Sequence, residues 1–271
     1  MIRSNILAVC HANYEKFSYI LDENPYQVRW MFNSELLLIC SLIKNTWTKK
    51  IIESWRARWH STKILSEFFK DNQQLIVSID FDENSKDSKY WREVLKNHKN
   101  LKLIHWDANH LIAQNATEPC CVIIDWPKWE DAIILAAELL KNKNIKLICI
   151  HDLHKTTFER SIFDILFNNT FCSDDLEYVE SFRQLDEECR KVLDTQWEKP
   201  YWRNWKKNES YASTIAIIFN SEDPLNEGIY ENYKVFYNSN KKVSFAKFIS
   251  SLFWSNSLII RILRKINFLF K

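Results

Sequence analysis

Five short apolar runs, KKIIE (49–53), LIVSID (75–80), LKLIH (101–105), CCVIID (120–125) and IKLICIHD (145–152), recur along the chain at intervals of roughly 20 to 25 residues. Between them lie amphipathic stretches, STKILSEFFK, SKYWREVLKNH and EDAIILAAELLKN. These are long enough to be the crossover helices that parallel neighbours require. The pattern predicts an α/β fold: a doubly wound, mostly parallel sheet with helices on both faces. Residues 1–30 show little periodicity, and Ser34 is placed to cap a helix carrying Leu36, Ile39, Cys40 and Ile43 on one face. The expected division is an N-terminal lead-in and helix (1–45), a sheet domain (46–222), and a linker with a basic amphipathic tail (223–271).

In such sheets ligands bind beyond the carboxyl ends of the strands. Those ends read Glu53-Ser-Trp-Arg-Ala-Arg-Trp59-His-Ser-Thr, Asp80-Phe-Asp82, His105-Trp-Asp107-Ala, Asp125-Trp-Pro-Lys-Trp129 and His151-Asp152-Leu-His154. Each carries a carboxylate in its first three positions. Asp at helix N-termini also serves as a cap. Acids converging on one sheet edge are a costly arrangement unless they are hydrogen-bonded or bind something.

The turns between these strands and helices are where nucleotide-binding folds place glycine. This chain has one glycine, Gly228, where average usage would give roughly 19. It has 12 tryptophans instead, and many stand in glycine-like contexts: Trp47, Trp55, Trp59, Trp106, Trp126, Trp129, Trp197, Trp202 and Trp205. Trp91, inside the helical pattern KYWREVL, reads as genuine. Local sequence and global pattern conflict at these turns. UGA codons that mean glycine in the source organism, written out as tryptophan, would remove the conflict. The abundance of Lys, Asn and Ile suits an A/T-rich genome of that kind. The other reading is a Trp-rich chain packing an aromatic core.

With glycine at Trp55 and Trp59, residues 53–62 read E-S-G-R-A-R-G-H-S-T, which resembles the first motif of class I S-adenosylmethionine-dependent methyltransferases, proteins of Rossmann-like fold. Asp80 follows Trp59 by 21 residues. The resemblance, over about residues 30–220, implies a cofactor site of Glu53, Trp55, Trp59, His60, Asp80, Asp107 and Ala108. Asp80 would hold the ribose hydroxyls and Asp107-Ala108 would meet the adenine. Residues 125–129 would read D-G-P-K-G, similar to the loop after the fourth strand. A nicotinamide dehydrogenase is a poorer match, because G-x-G-x-x-G is absent even after restoration.

Methyl transfer to a hydroxyl needs an aligned acceptor and help in removing its proton. Asp125, His151 and Lys128 are the candidate catalytic residues. Resemblance to catechol O-methyltransferase-like enzymes implies a divalent cation, Mg2+, on Asp125 and Asp152, although the amide that often follows the second acid is missing. The alternative is His151 as general base, oriented by Asp152. His151-x-x-His154 supplies only two zinc ligands. The expected function is O-methylation of a small molecule or saccharide. The competing reading is a non-catalytic, membrane-associated binding module with the same fold, its cofactor site blocked by genuine indoles.

A net charge of +2 gives no global attraction to nucleic acid. The stretch WEKPYWRNWKK (197–207) interleaves aromatic and basic residues like a strand-stacking surface, but with glycine at its tryptophans it becomes a basic loop. From residue 241 onward there are seven basic residues and no acids, so the preceding 240 net −5. Phe245, Phe248, Ile249, Leu252 and Phe253 share one helical face and Ile259, Ile262, Leu263, Ile266 and Phe270 another. Residues 243–271 therefore suit either an anionic membrane surface or docking on the protein's own core or a partner helix. Seven cysteines without a C-x-x-C, and an N-terminal apolar stretch too short for a signal peptide, point to a cytoplasmic protein, peripheral at the inner face of the membrane if the tail binds lipid.

Overall fold

A computed structural model describes residues 3–26, 31–54, 60–72, 74–80, 86–105, 108–196 and 214–239. Trp55, Trp59, Trp106, Asp107, the 197–207 loop and the tail 243–271 lie outside the described residues.

The chain begins with two helices, α1 (Arg3–Glu23) and α2 (Asn33–Asn45). Strands and helices then alternate: β1 (Lys50–Ser54), α3 (His60–Phe69), β2 (Leu75–Asp80), α4 (Lys86–Leu95), β3 (Leu101–His105), α5 (Ala108–Asn115), β4 (Cys120–Ile124), α6 (Trp129–Leu139) and β5 (Ile145–Ile150). The second half holds α7 (Phe158–Leu166), β6 (Thr170–Cys172), α8 (Leu176–Phe182), α9 (Glu187–Gln196), β7 (Ala216–Phe219) and α10 (Glu227–Ser239). All five apolar runs are strands, within a residue or two of the expected limits.

The sheet order is β3-β2-β1-β4-β5-β7-β6. The first five strands are parallel, β7 runs antiparallel to β5, and β6 antiparallel to β7. The sheet is doubly wound and Rossmann-like. Winding runs outward from β1 through β2 to β3, then restarts at β4 on the other side of β1. The crevice between the carboxyl ends of β1 and β4 is the topological switch point.

Strand parity divides the interior into two cores. Ile52, Val77, Val122 and Ile148 face one side with Ile133, Ala136, Phe163 and Tyr230 of the flanking helices. Ile51, Ile76, Cys121 and Cys149 face the other, packing with Phe17, Leu36, Ile39, Ile64 and Phe68. Continuous apolar runs suit strands buried on both faces. All seven cysteines are buried thiols outside any disulfide. Among the described residues no helix is long and apolar enough to cross a membrane.

Four local expectations are corrected. Residues 3–23, read as aperiodic, form α1. Its buried positions Ile6, Cys10, Asn13, Phe17, Ile20 and Leu21 do follow helical spacing, but the asparagine among them breaks the apolar signal. Asn13 Nδ2 donates to the Val9 carbonyl of its own helix at 2.7 Å, and the buried Asn24, just past the helix end, donates Nδ2 to the Ile20 carbonyl at 2.7 Å. Ser34 is not the cap of α2: Phe32 holds that position, its N–H donating to Glu35 Oε2 at 2.9 Å. Ser34 instead gives its N–H and hydroxyl to Asp186 at 2.8 and 2.6 Å. In addition, α2 is buried on every side from Asn33 to Ile43 rather than on one face, because α1 covers it. Within the stretch read as a linker, α10 places Ile229, Tyr230 and Tyr233 in the core.

Candidate functional site

Two neighbouring residues at the end of β1 organise the switch point by facing opposite sides of the sheet. Glu53, buried, accepts hydrogen bonds from Ser61 Oγ (2.5 Å), Thr62 Oγ1 (2.5 Å) and Ser78 Oγ (2.8 Å). One carboxylate thereby ties the ends of the first turn to each other and to β2. Ser54 binds the other way: its hydroxyl donates to the Trp126 carbonyl at 2.7 Å and accepts from the Asp125 N–H at 3.2 Å. The β1 end is thus joined to the loop after β4.

Asp80 closes β2, buried and in register with His105 of β3. His60 opens α3, its ring edge-on to Tyr26 with centroids 6.1 Å apart. Burial, with Lys63 nearby, lowers the His60 pKa to about 3, so its imidazole is neutral. Ala108 opens α5. Glu53, His60 and Asp80 therefore sit along the β1–β2 carboxyl edge, flanking the undescribed residues 55–59 and 81–85.

On the β4–β5 side the structure brings together Asp125, Lys128, His151 and Asp152. His151 Nδ1 donates to Asp125 Oδ1 at 2.7 Å. Lys128 Nζ donates to Asp152 Oδ2 at 2.6 Å and also to Asp125 Oδ1. The two cationic nitrogens are 3.4 Å apart, both drawn to the same Asp125 oxygen. Asp152 Oδ2 is 3.6 Å from His151 Nδ1. The Lys128 side chain is 12% exposed and that of Asp152 41%, so the aspartate is the member that meets solvent.

A residue absent from the expected set completes the cluster. Glu35 of α2, fully buried, places Oε2 3.4 Å from His151 Nε2. Each nitrogen of His151 therefore faces a carboxylate. The available signal was a lone acid in the apolar run LLLICSLI that follows it; its partner lies more than a hundred residues away and is set by packing alone.

The electrostatics follow from this crowding. Burial works to lower the His151 pKa, but Asp152, Asp125 and Glu35 outweigh it and raise it to about 10. Burial works to raise that of Asp125, yet His151 and Lys128 hold its carboxyl below the usual carboxylate range. Lys128, despite desolvation, is raised by Asp125 and Asp152. The expected pairing of His151 with Asp152 is present at 3.6 Å, and Asp125 at 2.7 Å and Glu35 at 3.4 Å join it. With Asp125 as acceptor, His151 Nδ1 is a hydrogen-bond donor.

A magnesium ion does not fit these residues. Ligand atoms of Asp125, His151 and Asp152 lie within 4.8 Å of one another. The carboxylates, however, are bridged by the Lys128 ammonium, and the third group presents N–H rather than a lone pair, whereas Mg2+ takes oxygen ligands in a near-octahedral shell. The expected Mg2+ on Asp125 and Asp152 is not supported.

No protein-family model and no curated protein matches the sequence. Among solved structures, the chain is similar to the O-methyltransferase TomG of Streptomyces achromogenes, solved with S-adenosylmethionine (12% identity, 76% of this chain and 89% of that one, TM-score 0.43). It is also similar to the methyltransferase PaMTH1 of Podospora anserina, solved with S-adenosylhomocysteine (10% identity, 79% and 93%, TM-score 0.41). A third is cofactor-bound Rv0187 from MTB (11% identity, 80% and 91%, TM-score 0.42). At that distance the likeness adds nothing to what the strand order shows.

Proposed function

We propose that this chain is an S-adenosylmethionine-dependent methyltransferase that methylates a hydroxyl of a small molecule or saccharide. The observation that carries the reading is the pair of clusters on either side of the β1/β4 switch point, one built on Glu53 and Asp80 and the other on Asp125 and Lys128, joined through Ser54. Asp80 is a buried acceptor suited to a ribose diol, and Glu53 ties the end of β1 to the start of α3. The bound cofactor would supply an electrophilic methyl group. On the acceptor side, the half-exposed Asp152 accepts the hydrogen bond of the hydroxyl and takes its proton to solvent. The Lys128 ammonium offsets charge growing on that oxygen, and His151 holds Asp125 in place.

We further infer that the tryptophans at the strand ends stand where the functional protein has glycine. Trp47 and Trp129 have φ of 54° and 57°, in the left-handed region that favours glycine, and are 90% and 65% exposed, so neither indole is needed by the core. Gly228, in contrast, lies in α10 at a position where a β-carbon would meet nothing within 4 Å. A chain whose glycine is dispensable and two of whose tryptophans, Trp47 and Trp129, adopt glycine backbone angles fits UGA read as glycine. Genuine indoles at Trp55 and Trp59 favour the blocked binding module instead.

Calorimetry with S-adenosylhomocysteine separates the readings. The Trp55→Gly/Trp59→Gly protein should bind it saturably, and Asp80→Ala in that background should weaken binding at least tenfold. A folded double variant with no saturable binding would sink the methyltransferase proposal.

A further inference from the structure

We infer that Lys128 is the resident cation of the Asp125–His151–Asp152 centre and that this centre works without a divalent metal. The inference deepens the acceptor side of the proposed function, but its test reads metal uptake and needs neither cofactor nor acceptor.

The spacing of the three candidate ligands suits a single ion: their donor atoms fall within 4.8 Å of one another. The place an ion would take is nevertheless filled from within. Lys128 Nζ contacts Asp125 Oδ1 and lies 2.6 Å from Asp152 Oδ2, and it is 3.4 Å from His151 Nδ1. The Lys128 ammonium, bonded to an oxygen of each aspartate, competes for the place between them that a magnesium ion at about 2.0–2.1 Å would need.

The lysine is placed by the fold. It is the N-cap of α6, in extended backbone three residues after Asp125. The loop's entry is pinned by Ser54, which binds the Asp125 N–H and the Trp126 carbonyl. The side chain is largely buried, so withdrawing it would leave two carboxylates facing each other. The third ligand is spoken for as well: His151 Nδ1 is bonded to Asp125 at 2.7 Å and Nε2 faces Glu35 at 3.4 Å, so neither ring nitrogen is turned toward an ion. A single positive charge fixed by the chain thus does the bridging that a divalent ion would do, and the chain needs no oxygen ligand after Asp152, where it has Leu153.

The test is Mn2+ binding to the full chain, followed by electron paramagnetic resonance of the free ion. The unsubstituted chain should leave the free-ion signal unchanged. Lys128→Ala and the bulkier Lys128→Met should each gain a saturable Mn2+ site, lost again when Asp125→Asn is added; Lys128→Arg should remain without one. Circular dichroism establishes which variants are folded. Saturable Mn2+ uptake by the unsubstituted chain that Asp125→Asn abolishes would overturn the inference. So would folded Lys128→Ala and Lys128→Met proteins that bind no Mn2+, since the lysine would then not be what occupies the ion's place. The unsubstituted chain and its Asp125→Asn variant decide the matter even if both lysine truncations fail to fold.

Discussion

Glu35 Oε2 lies 3.4 Å from His151 Nε2, linking the first turn of a helix that precedes the sheet to the residue that leaves β5. The contact makes α2 part of the candidate site. It also means that the imidazole is held from both sides, by Glu35 and by Asp125, and the consequences are measurable.

The first concerns the charge of His151. Its folded pKa, about 10, stands above an unfolded value of about 6.5. A raised pKa on a base contributes stability that is fully present below the unfolded value and is lost as pH rises through the folded one. Stability from this group should therefore decline between about pH 6.5 and the value near 10. Glu35→Gln should bring the His151 pKa down, read by imidazole proton shifts in NMR titration. An unchanged pKa would show that Glu35 exerts no field on the ring.

Asp186 titrates in a different window. Burial, only partly offset by the bonds from Ser34, raises its pKa to about 7. For an acid whose folded pKa exceeds its unfolded one, the favourable contribution is complete below the unfolded value near 3.9 and is lost as pH rises through the folded value. Asp186→Asn should flatten the fall in stability between about pH 4 and 7, measured as the urea midpoint at each pH. A profile identical to that of the unsubstituted chain would count against the buried acid.

Backbone angle predicts opposite outcomes for three tryptophan replacements. Trp47→Gly and Trp129→Gly should stabilise the chain by about 1 kcal/mol each, because glycine removes the strain of a left-handed L-residue. Trp91→Gly, inside α4, should destabilise it by about 1 kcal/mol. Chemical denaturation resolves differences of this size. Destabilisation at Trp47 or Trp129 would argue that the indole is native there.

Glu53 gathers three buried hydroxyls, so its removal should be costly. Glu53→Ala leaves Ser61, Thr62 and Ser78 without their common acceptor, and a loss of about 3 kcal/mol is expected. Glu53→Gln, which keeps one accepting oxygen, should lose less. Equal losses in the two variants would place the effect in packing rather than in the hydrogen bonds.

The sheet's inner strands were legible because strands buried on both faces must be apolar throughout. The runs at Ile51–Ile52, Cys120–Ile124 and Ile145–Ile150 announce themselves whatever surrounds them. From their order along the chain, the carboxyl ends and the polar groups on them followed, including Asp125, Lys128, His151 and Asp152. Periodicity failed where polar residues are buried through long-range partners. Asn13 hides α1, and Ser34 looks like a cap until Asp186, 152 residues away, takes its N–H and hydroxyl.

Sequence alone therefore determined the α/β alternation, the strand ends and the types of chemical group placed on them, since each depends on local pattern and chain order. Tertiary structure decided which groups touch. Only packing could set Lys128 between Asp125 and Asp152, bring Asp125 and Glu35 to His151 beside Asp152, and so raise the imidazole pKa, because Coulomb interactions and desolvation depend on distances in space that sequence spacing does not encode.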